Sequence, residues 1–402
     1  MSKYAYALTM PGSYIIAGAR TPIGKMSGAL ASFSAADLGG FAIAAALQRA
    51  GVAPHEVEHV IMGQVLMAGQ GQVPSRQAAS KAGIPMSVPS ISINKVCLSG
   101  LNSIYLADQM ISSGEADIVI AGGMESMTNA PYLAMGARSG FRFGDVQLLD
   151  AIQRDGLWCA FDACLMGLGT ERYAAGDISR DVQDDLAMKS NQRAAAAIAG
   201  GRLADEIVPI SIPQRKGDPL VIDTDEGVRA STTMESLGSL KPAFDKDGTV
   251  TAGNASQISD AGSAIVMMSK REAERRGLKP LGEFISYGTV PGPDNASLLH
   301  QPSRSIMKAL ERAGKKVSDV DLFEINEAFA AVGIASMREL GISDDIVNVN
   351  GGAIALGHPI GMSGNRLALT LLHELQRRGG GMGAAALCGG GGQGDALIVR
   401  TV

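Results

Sequence analysis

A layered α/β protein made of two similar halves is the fold class this sequence predicts, and two observations carry the prediction. The first is a repeat. Ala46-Leu47-Gln48-Arg49-Ala50-Gly51, then Glu56-Val57, then the apolar Val60-Ile61-Met62, is matched much later by Ala309-Leu310-Glu311-Arg312-Ala313-Gly314, Asp319-Val320 and Leu322-Phe323-Glu324-Ile325. Both copies read as helix, glycine stop, short acidic-apolar link and strand. The second is the alternation of helical and short apolar segments in each half, the pattern of strands buried beneath helices.

In the first half, Ser34 and Asp37 form a capping-box start, and Leu38, Phe41, Ala42 and Ala45 keep a helical period to Gly51. In the second half Ser303 or Ser305 opens the matching helix, Ile306 and Leu310 face the core, and Gly314 ends it. The later parts match too. Cys97-Leu98-Ser99-Gly100 opens a helix to Ser113-Gly114, and the strand Ile118-Val119-Ile120-Ala121 then meets Gly122-Gly123. Gly361-Met362-Ser363-Gly364 opens the counterpart helix through Leu371-Leu372, followed by a strand ending at Cys388. Residues 128–258 have no counterpart. They hold Gly140-Phe141-Arg142-Phe143-Gly144, a helix from Asp181 to Ile198 closed by Gly200-Gly201, and the polar Arg215-Lys216-Gly217-Asp218. The expected organisation is a first half over 1–127, an inserted loop domain over 128–258 and a second half over 259–402.

Composition narrows the function. Hydrophobic residues make up 46% of the 402 and charged ones 19%, enough apolar surface for buried cores and too little charge for extended disorder. A net charge of −5 argues against a general nucleic-acid binder. Four cysteines in a chain this long make no disulfide framework, which points to a reducing compartment. No apolar run reaches the ~18–20 residues of a membrane span. Met1 to Ser13 lacks a signal-peptide core, and Val399-Arg400-Thr401-Val402 is no peroxisomal tripeptide, so the expected location is cytoplasmic.

The chemistry gathers at glycine-rich turns. Cys97 follows the strand Ile91-Ser92-Ile93 and starts a helix, where free N–H groups and the helix dipole favour a thiolate. Taken alone, it fits a nucleophile and a buried structural cysteine equally. His358, in Gly357-His358-Pro359, is held extended by Pro359 between glycines that allow close approach of a ligand. Cys388 leaves a buried strand into Gly389-Gly390-Gly391-Gly392, whose unblocked amides suit an oxyanion hole better than a phosphate loop, for which no G-K-[ST] ending is present. His55, His59, His300 and His373 gain no role, Cys159 and Cys164 read as packing residues, and no His/Cys spacing fits zinc, so no metal is expected.

With Asn326-Glu327-Ala328-Phe329 added, the motifs around Cys97, Gly357-His358-Pro359 and Cys388-Gly389-Gly390 resemble the thiolase family, as do Gly122-Gly123-Met124-Glu125-Ser126-Met127 and Thr251-Ala252-Gly253-Asn254-Ala255-Ser256. The resemblance spans nearly the whole chain. It implies the thiolase fold, two five-layered αβαβα halves with a loop domain, in a homotetramer made of tight dimers. It further implies an acyltransferase of lipid metabolism that condenses two acetyl-CoA to acetoacetyl-CoA and CoA, or reverses this, with coenzyme A as substrate and product and no cofactor. Cys97 would carry the acyl group, His358 would take its proton, and Cys388 would exchange the α-proton. Asn326 would hold a water facing the enolate, and the N–H groups of Cys97 and Gly390 would form the second oxyanion hole. Met166, Arg229, Phe244, Ser256, Ala328 and Phe329 resemble residues along the coenzyme A path. One departure stands out: acetoacetyl-CoA-forming members often have His-Met-Gly where this chain has Leu165-Met166-Gly167. The second expectation is therefore a degradative 3-ketoacyl-CoA thiolase of broader chain length. A ketoacyl synthase would pair its cysteine with two histidines and fits less well, and a non-catalytic acyl-CoA-binding scaffold would have lost one of these residues.

Overall fold

The computed structural model describes residues 12–292 and 295–402. Most of the leader reading over Met1 to Ser13 therefore lies outside the described residues. The first half runs β1 (Ser13–Arg20), α1 (Ala35–Ala50), β2 (His59–Gly63), α2 (Pro74–Lys81), β3 (Ser90–Ile93), α3 (Ser99–Ser113) and β4 (Ile118–Ser126). A long insertion carrying α4 (Met166–Ala174) and α5 (Arg180–Ala199) precedes β5 (Ser259–Ser269). The second half runs β6 (Gly282–Val290), α6 (Gln301–Ala313), β7 (Leu322–Ile325), α7 (Ala330–Leu340), α8 (Ser363–Arg377), β8 (Met382–Gly389) and β9 (Gln393–Arg400).

The sheet order is β7-β8-β9-β6-β1-β5-β4-β2-β3. Read outward from the central antiparallel pair, where Tyr14 faces Glu283 and Ile15 faces Gly282, each half repeats one connectivity: β1-β5-β4-β2-β3 and β6-β9-β8-β7. Val347, bridged in parallel to Phe323, stands where the second half lacks a full counterpart of β3. The duplication visible in the sequence is thus a duplication of topology. The position of β5 corrects the sequence boundary. β5 lies between β1 and β4 and pairs antiparallel with both, so residues 259–269 complete the first half rather than begin the second.

The layers follow from which apolar faces meet. On the outer face of the first half, Ile43 and Leu47 of α1 pack on Val60, Ile120 and Val266. On the outer face of the second, Ile306 and Leu310 of α6 pack on Phe323 and Ile398. Between the halves, Leu101 and Ile104 of α3 share a core with Leu367 and Leu371 of α8, flanked by Ile61, Val119, Leu387 and Leu397 of the strands. The insertion leans on the second half through Leu186, Val332, Ile334 and Cys388.

Local signals held where they were chemically explicit. Ser34 Oγ accepts from the Asp37 N–H at 3.2 Å, Asp37 returns the bond to the Ser34 N–H at 3.0 Å, and Gly51 ends α1 at φ 64°. Phe41 is not core: it is part-exposed and meets Phe33 edge to face at 5.4 Å. α6 begins at Gln301, ahead of both serines, because Pro302 suits a first helical turn. Gly122-Gly123 does not stop β4. A Cβ on Gly123 would lie 2.2 Å from the Gly361 carbonyl oxygen, so the glycines let the second half touch the strand.

Closest approach comes where α3 and α8 begin. A Cβ on Gly364 would stand 2.4 Å from the Leu101 backbone nitrogen, and one on Gly100 would stand 2.8 Å from the Met362 carbonyl oxygen. Gly364→Ala is expected to cost roughly 3 kcal/mol or more, since backbone must move. Gly114→Ala, whose Cβ meets nothing but whose φ is 78°, should cost about 1–2 kcal/mol. Urea unfolding of both variants checks the difference; equal losses would show that the helix crossing is not close-packed.

Candidate active site

The α3–α8 crossing places three loops together. Cys97 does not open α3, as its sequence context suggested, but sits two residues ahead of it in a tight turn. Val96 takes φ 51°, an uncommon left-handed conformation for a β-branched residue. The turn is locked on both sides. The Lys95 N–H donates to Ser99 Oγ at 2.8 Å, Ser99 Oγ donates to the Val96 carbonyl at 2.7 Å, and the Val96 N–H donates to Asn94 Oδ1 at 2.9 Å. Lys95 Nζ reaches across to both oxygens of the buried Asp395 carboxylate on β9, at 2.8 Å each.

Electrostatics correct the expectation of a standing thiolate. Burial pushes the Cys97 thiol up to about 12, against the partial relief given by its own N–H and the Gly390 N–H, while nearby Glu125 adds to the rise. A helix dipole two residues away does not offset the loss of water. Cys388, buried at the end of β8, is likewise raised, first by burial and next by the Cys97 sulfur. The two cysteines that the sequence separates by most of its length therefore share one site, with the Gly390 amide aimed at the Cys97 sulfur.

His358 is buried as well. Burial pushes its imidazole down to about 4, with Arg366 contributing. It is therefore neutral near pH 7, and its tautomer follows from its partner. Ser363 Oγ lies 2.6 Å from Nδ1 and gives its single proton to the Pro359 carbonyl at 2.9 Å. The hydroxyl can then only accept from Nδ1–H, which leaves the Nε2 lone pair free. Asn326 Nδ2 lies 3.5 Å from that Nε2, a long contact, and Asn326 Oδ1 is buried without a partner.

Beside His358 opens a cavity of about 490 Å³, walled by Met127, Ile152, Leu157, Leu165 and Ile360 and edged by Asp150 and Gln153. Four residues placed on the coenzyme A path line it: Met166, Phe244, Ser256 and Phe329. The rings of Phe244 and Phe329 meet edge to face at 6.1 Å, and Gly167 is the residue that lets Phe244 lie against α4. The other two do not line it. Ala328 is buried, with its carbonyl accepting from the Ser256 N–H at 3.0 Å, and Arg229 is exposed, with its backbone N–H bonded to Asn191 Oδ1 at 3.0 Å. Among the described residues, no three His, Cys, Asp or Glu side chains gather as a metal site, and no helix is long and apolar enough to cross a membrane.

A model of the thiolase N-terminal domain matches residues 13–271, and one of the thiolase C-terminal domain matches residues 278–401. The chain belongs to the thiolase family. Its similarity to relatives runs end to end: 56% identity to a probable acetyl-CoA acetyltransferase of Mycobacterium leprae over 394 residues, 98% of this chain and all of the relative. Acetyl-CoA acetyltransferases of Chromobacterium violaceum and Pseudomonas aeruginosa are 51% and 50% identical, each over 96% of this chain and 98% of the relative.

In this thiolase, sequence reading missed Ser363, which sets the His358 tautomer, and Lys95 with Asp395, which brace the Cys97 turn. Ser363 carried a signal, a hydroxyl five residues after the histidine at a helix start. Asp395 carried none, because its partner is 300 residues away. The His358 shift also sets a pH response. Because the folded-state value is depressed below the unfolded ~6.5, the unfolded chain binds the proton first, so stability is full above 6.5 and is lost as pH falls toward 4. Urea midpoints at pH 7 and pH 4.5 should fall less for His358→Asn than for the parent protein; an equal fall would contradict a buried neutral imidazole.

Proposed function

We propose that this thiolase condenses two acetyl-CoA molecules to acetoacetyl-CoA and CoA, and reverses that reaction, through an acyl group carried on Cys97. The observation that carries the reading is the meeting of the Cys97 sulfur, the Gly390 N–H and the Cys388 sulfur, with Cys97 packed on Met127, Ile152 and Ile360, which also wall the cavity beside His358. The full-length acetyl-CoA acetyltransferase relatives support it.

Cys97 S–H gives its proton to His358 Nε2 as sulfur attacks the thioester carbonyl. A thiol held near 12 stays protonated until a substrate arrives, so deprotonation and attack belong to one event. The carbonyl oxygen becomes an oxyanion, met by the Cys97 and Gly390 N–H groups, and collapse expels CoA, which takes its proton from the Cys388 thiol and leaves Cys388 a thiolate and His358 an imidazolium. A second acetyl-CoA then loses an α-proton to the Cys388 thiolate, which restores that thiol. His358 Nε2–H and a water held by Asn326 face the enolate oxygen, and the enolate carbon attacks the acyl-Cys97 carbonyl. Cys97 leaves as a thiolate and takes the proton from His358 Nε2, restoring the thiol and the neutral imidazole. Coenzyme A runs along Met166, Phe244, Ser256 and Phe329 to reach this point, with Arg229 at the exposed end and Ala328 supporting Ser256. The broader-chain reading has one observation in its favour, the wholly apolar wall of Met127, Leu157, Leu165 and Ile360.

The cytoplasmic location, the role in fatty acid metabolism and the homotetramer belong to the same proposal. Exposed Tyr132, Met135, Phe141, Phe143 and Leu148 in the insertion support assembly, since they form apolar surface that a partner would cover.

Cys97→Ser should lower thiolysis by roughly 10³-fold or more while acyl-CoA still binds. Near-normal activity would remove Cys97 as nucleophile. Cys388→Ala should still acylate Cys97, seen by mass spectrometry of the intact protein, and lose condensation. A kcat/KM series over 3-ketoacyl-CoAs should peak at acetoacetyl-CoA and drop by roughly tenfold or more once the chain outgrows the pocket; a flat series would favour the degradative reading.

A further inference from the structure

Two buried glutamates from the sequence motifs have no part in the steps above, yet both grip the segment that carries His358. Glu327 follows Asn326, and its carboxylate accepts from Ser190 Oγ on α5 at 2.7 Å, Asn348 Nδ2 at 2.9 Å and the Ile354 N–H at 3.1 Å. Glu125 ends the glycine run of β4 and accepts from the Val65, Leu66 and Gly361 N–H groups at 3.0, 3.1 and 2.9 Å. Ile354 lies four residues before His358 and Gly361 three after it. Both flanks are open to the carboxylates because they carry glycine. A Cβ on Gly352 would stand 2.2 Å from the Glu327 carboxyl carbon, and one on Gly361 would stand 2.8 Å from Glu125 Oε2.

Neither glutamate forms an ion pair among the described residues, and each is at most 2% exposed. Burial raises both, Glu125 to about 7. A carboxylate without a cation partner in the core costs several kcal/mol, so stability alone does not account for two of them on one loop. The donor sets do. Every partner is a hydrogen-bond donor, and only an acceptor-only group can take all three without turning its own N–H toward one of them. The tethers also run in different directions, Glu125 to the first half and Glu327 to the second half and the insertion.

We propose that Glu125 and Glu327 are positioning residues that fix the two ends of the His358 loop, and so set where Nε2 stands relative to the Cys97 sulfur. The inference rests on His358 acting as the base for Cys97. A displacement of about 1 Å at such a contact lowers rate by ~10²-fold without weakening binding of a distant CoA moiety.

The test uses Glu125→Gln, Glu327→Gln and, as a milder change that leaves both carboxylates in place, Ser190→Ala, which removes one donor from Glu327 and the acceptor of the Gly352 N–H. Four quantities are read on the folded full-length protein: kcat and KM for thiolysis of acetoacetyl-CoA, the rate of Cys97 alkylation by iodoacetamide followed by peptide mass spectrometry, and the thermal midpoint. Each glutamine variant should lose roughly 10- to 100-fold in kcat with KM little changed, and Cys97 alkylation should slow in step; Ser190→Ala should show the same split to a smaller degree. For Glu125 the sign is decisive, because removing its charge alone would ease Cys97 ionisation and speed alkylation. Wild-type kcat and alkylation in the variants, with or without a lower midpoint, would overturn the proposal, as would faster alkylation in Glu125→Gln. His358→Ala separates the two readings: if it alkylates Cys97 as fast as the parent protein, the base assignment fails; if it is slow while the glutamate variants are normal, the positioning role alone fails.

Discussion

The close crossing of α3 and α8 is the constraint from which the site follows. Gly100 and Gly364 let the two helix starts approach until backbone meets backbone. A side chain at either position would hold the halves apart, with them the Cys97 turn of one half and the His358 and Cys388 loops of the other. The glycines of β4 serve the same contact, since Gly123 lies under the Gly361 carbonyl. The shared core of Leu101, Ile104, Leu367 and Leu371 then makes the crossing cooperative, because its apolar surface is buried only when both helices are in place.

Around that crossing the protein keeps its reactive groups dry and neutral. Both thiols are raised and the imidazole is lowered, all chiefly by burial. A site so arranged holds little charge while empty. In the proposed reaction, charge arises only as protons move, beside the Gly390 and Cys97 amides and the Nε2 of His358. Several buried ionisable groups serve geometry: Arg20 with Glu206 and Asp225 ties β1 to the insertion, Lys95 with Asp395 ties the Cys97 turn to β9, and Glu125 and Glu327 accept hydrogen bonds from the flanks of the His358 loop.

Much of this was legible in the chain because its signals are local. The Ser34–Asp37 capping box, the glycine stops at Gly51 and Gly314, and the repeated helix-link-strand order are set by bonds within a few residues, so they survive without tertiary information. The errors share a cause as well. Phe41 has helical spacing but sits at the rim of the core; Gly122-Gly123 has the composition of a stop but serves a close contact; and β5 follows the insertion in sequence yet pairs with strands far earlier. The direction of the Cys97 shift was misread because a helix start was visible and the surrounding desolvation was not.

By itself the sequence determined the duplicated α/β architecture and the family, and it singled out the cysteines, histidine and asparagine of the proposed chemistry, since each sits in a short motif whose residue types and glycines have few other uses. Only the tertiary structure decided that Cys97 precedes its helix on a strained Val96, that Ser363 frees Nε2 of His358, that Arg229 and Ala328 stand outside the cavity, and that Asp395 braces a turn from the far end of the chain. Those outcomes depend on burial and on contacts between residues up to 300 positions apart, quantities that exist only once the two halves have packed against each other.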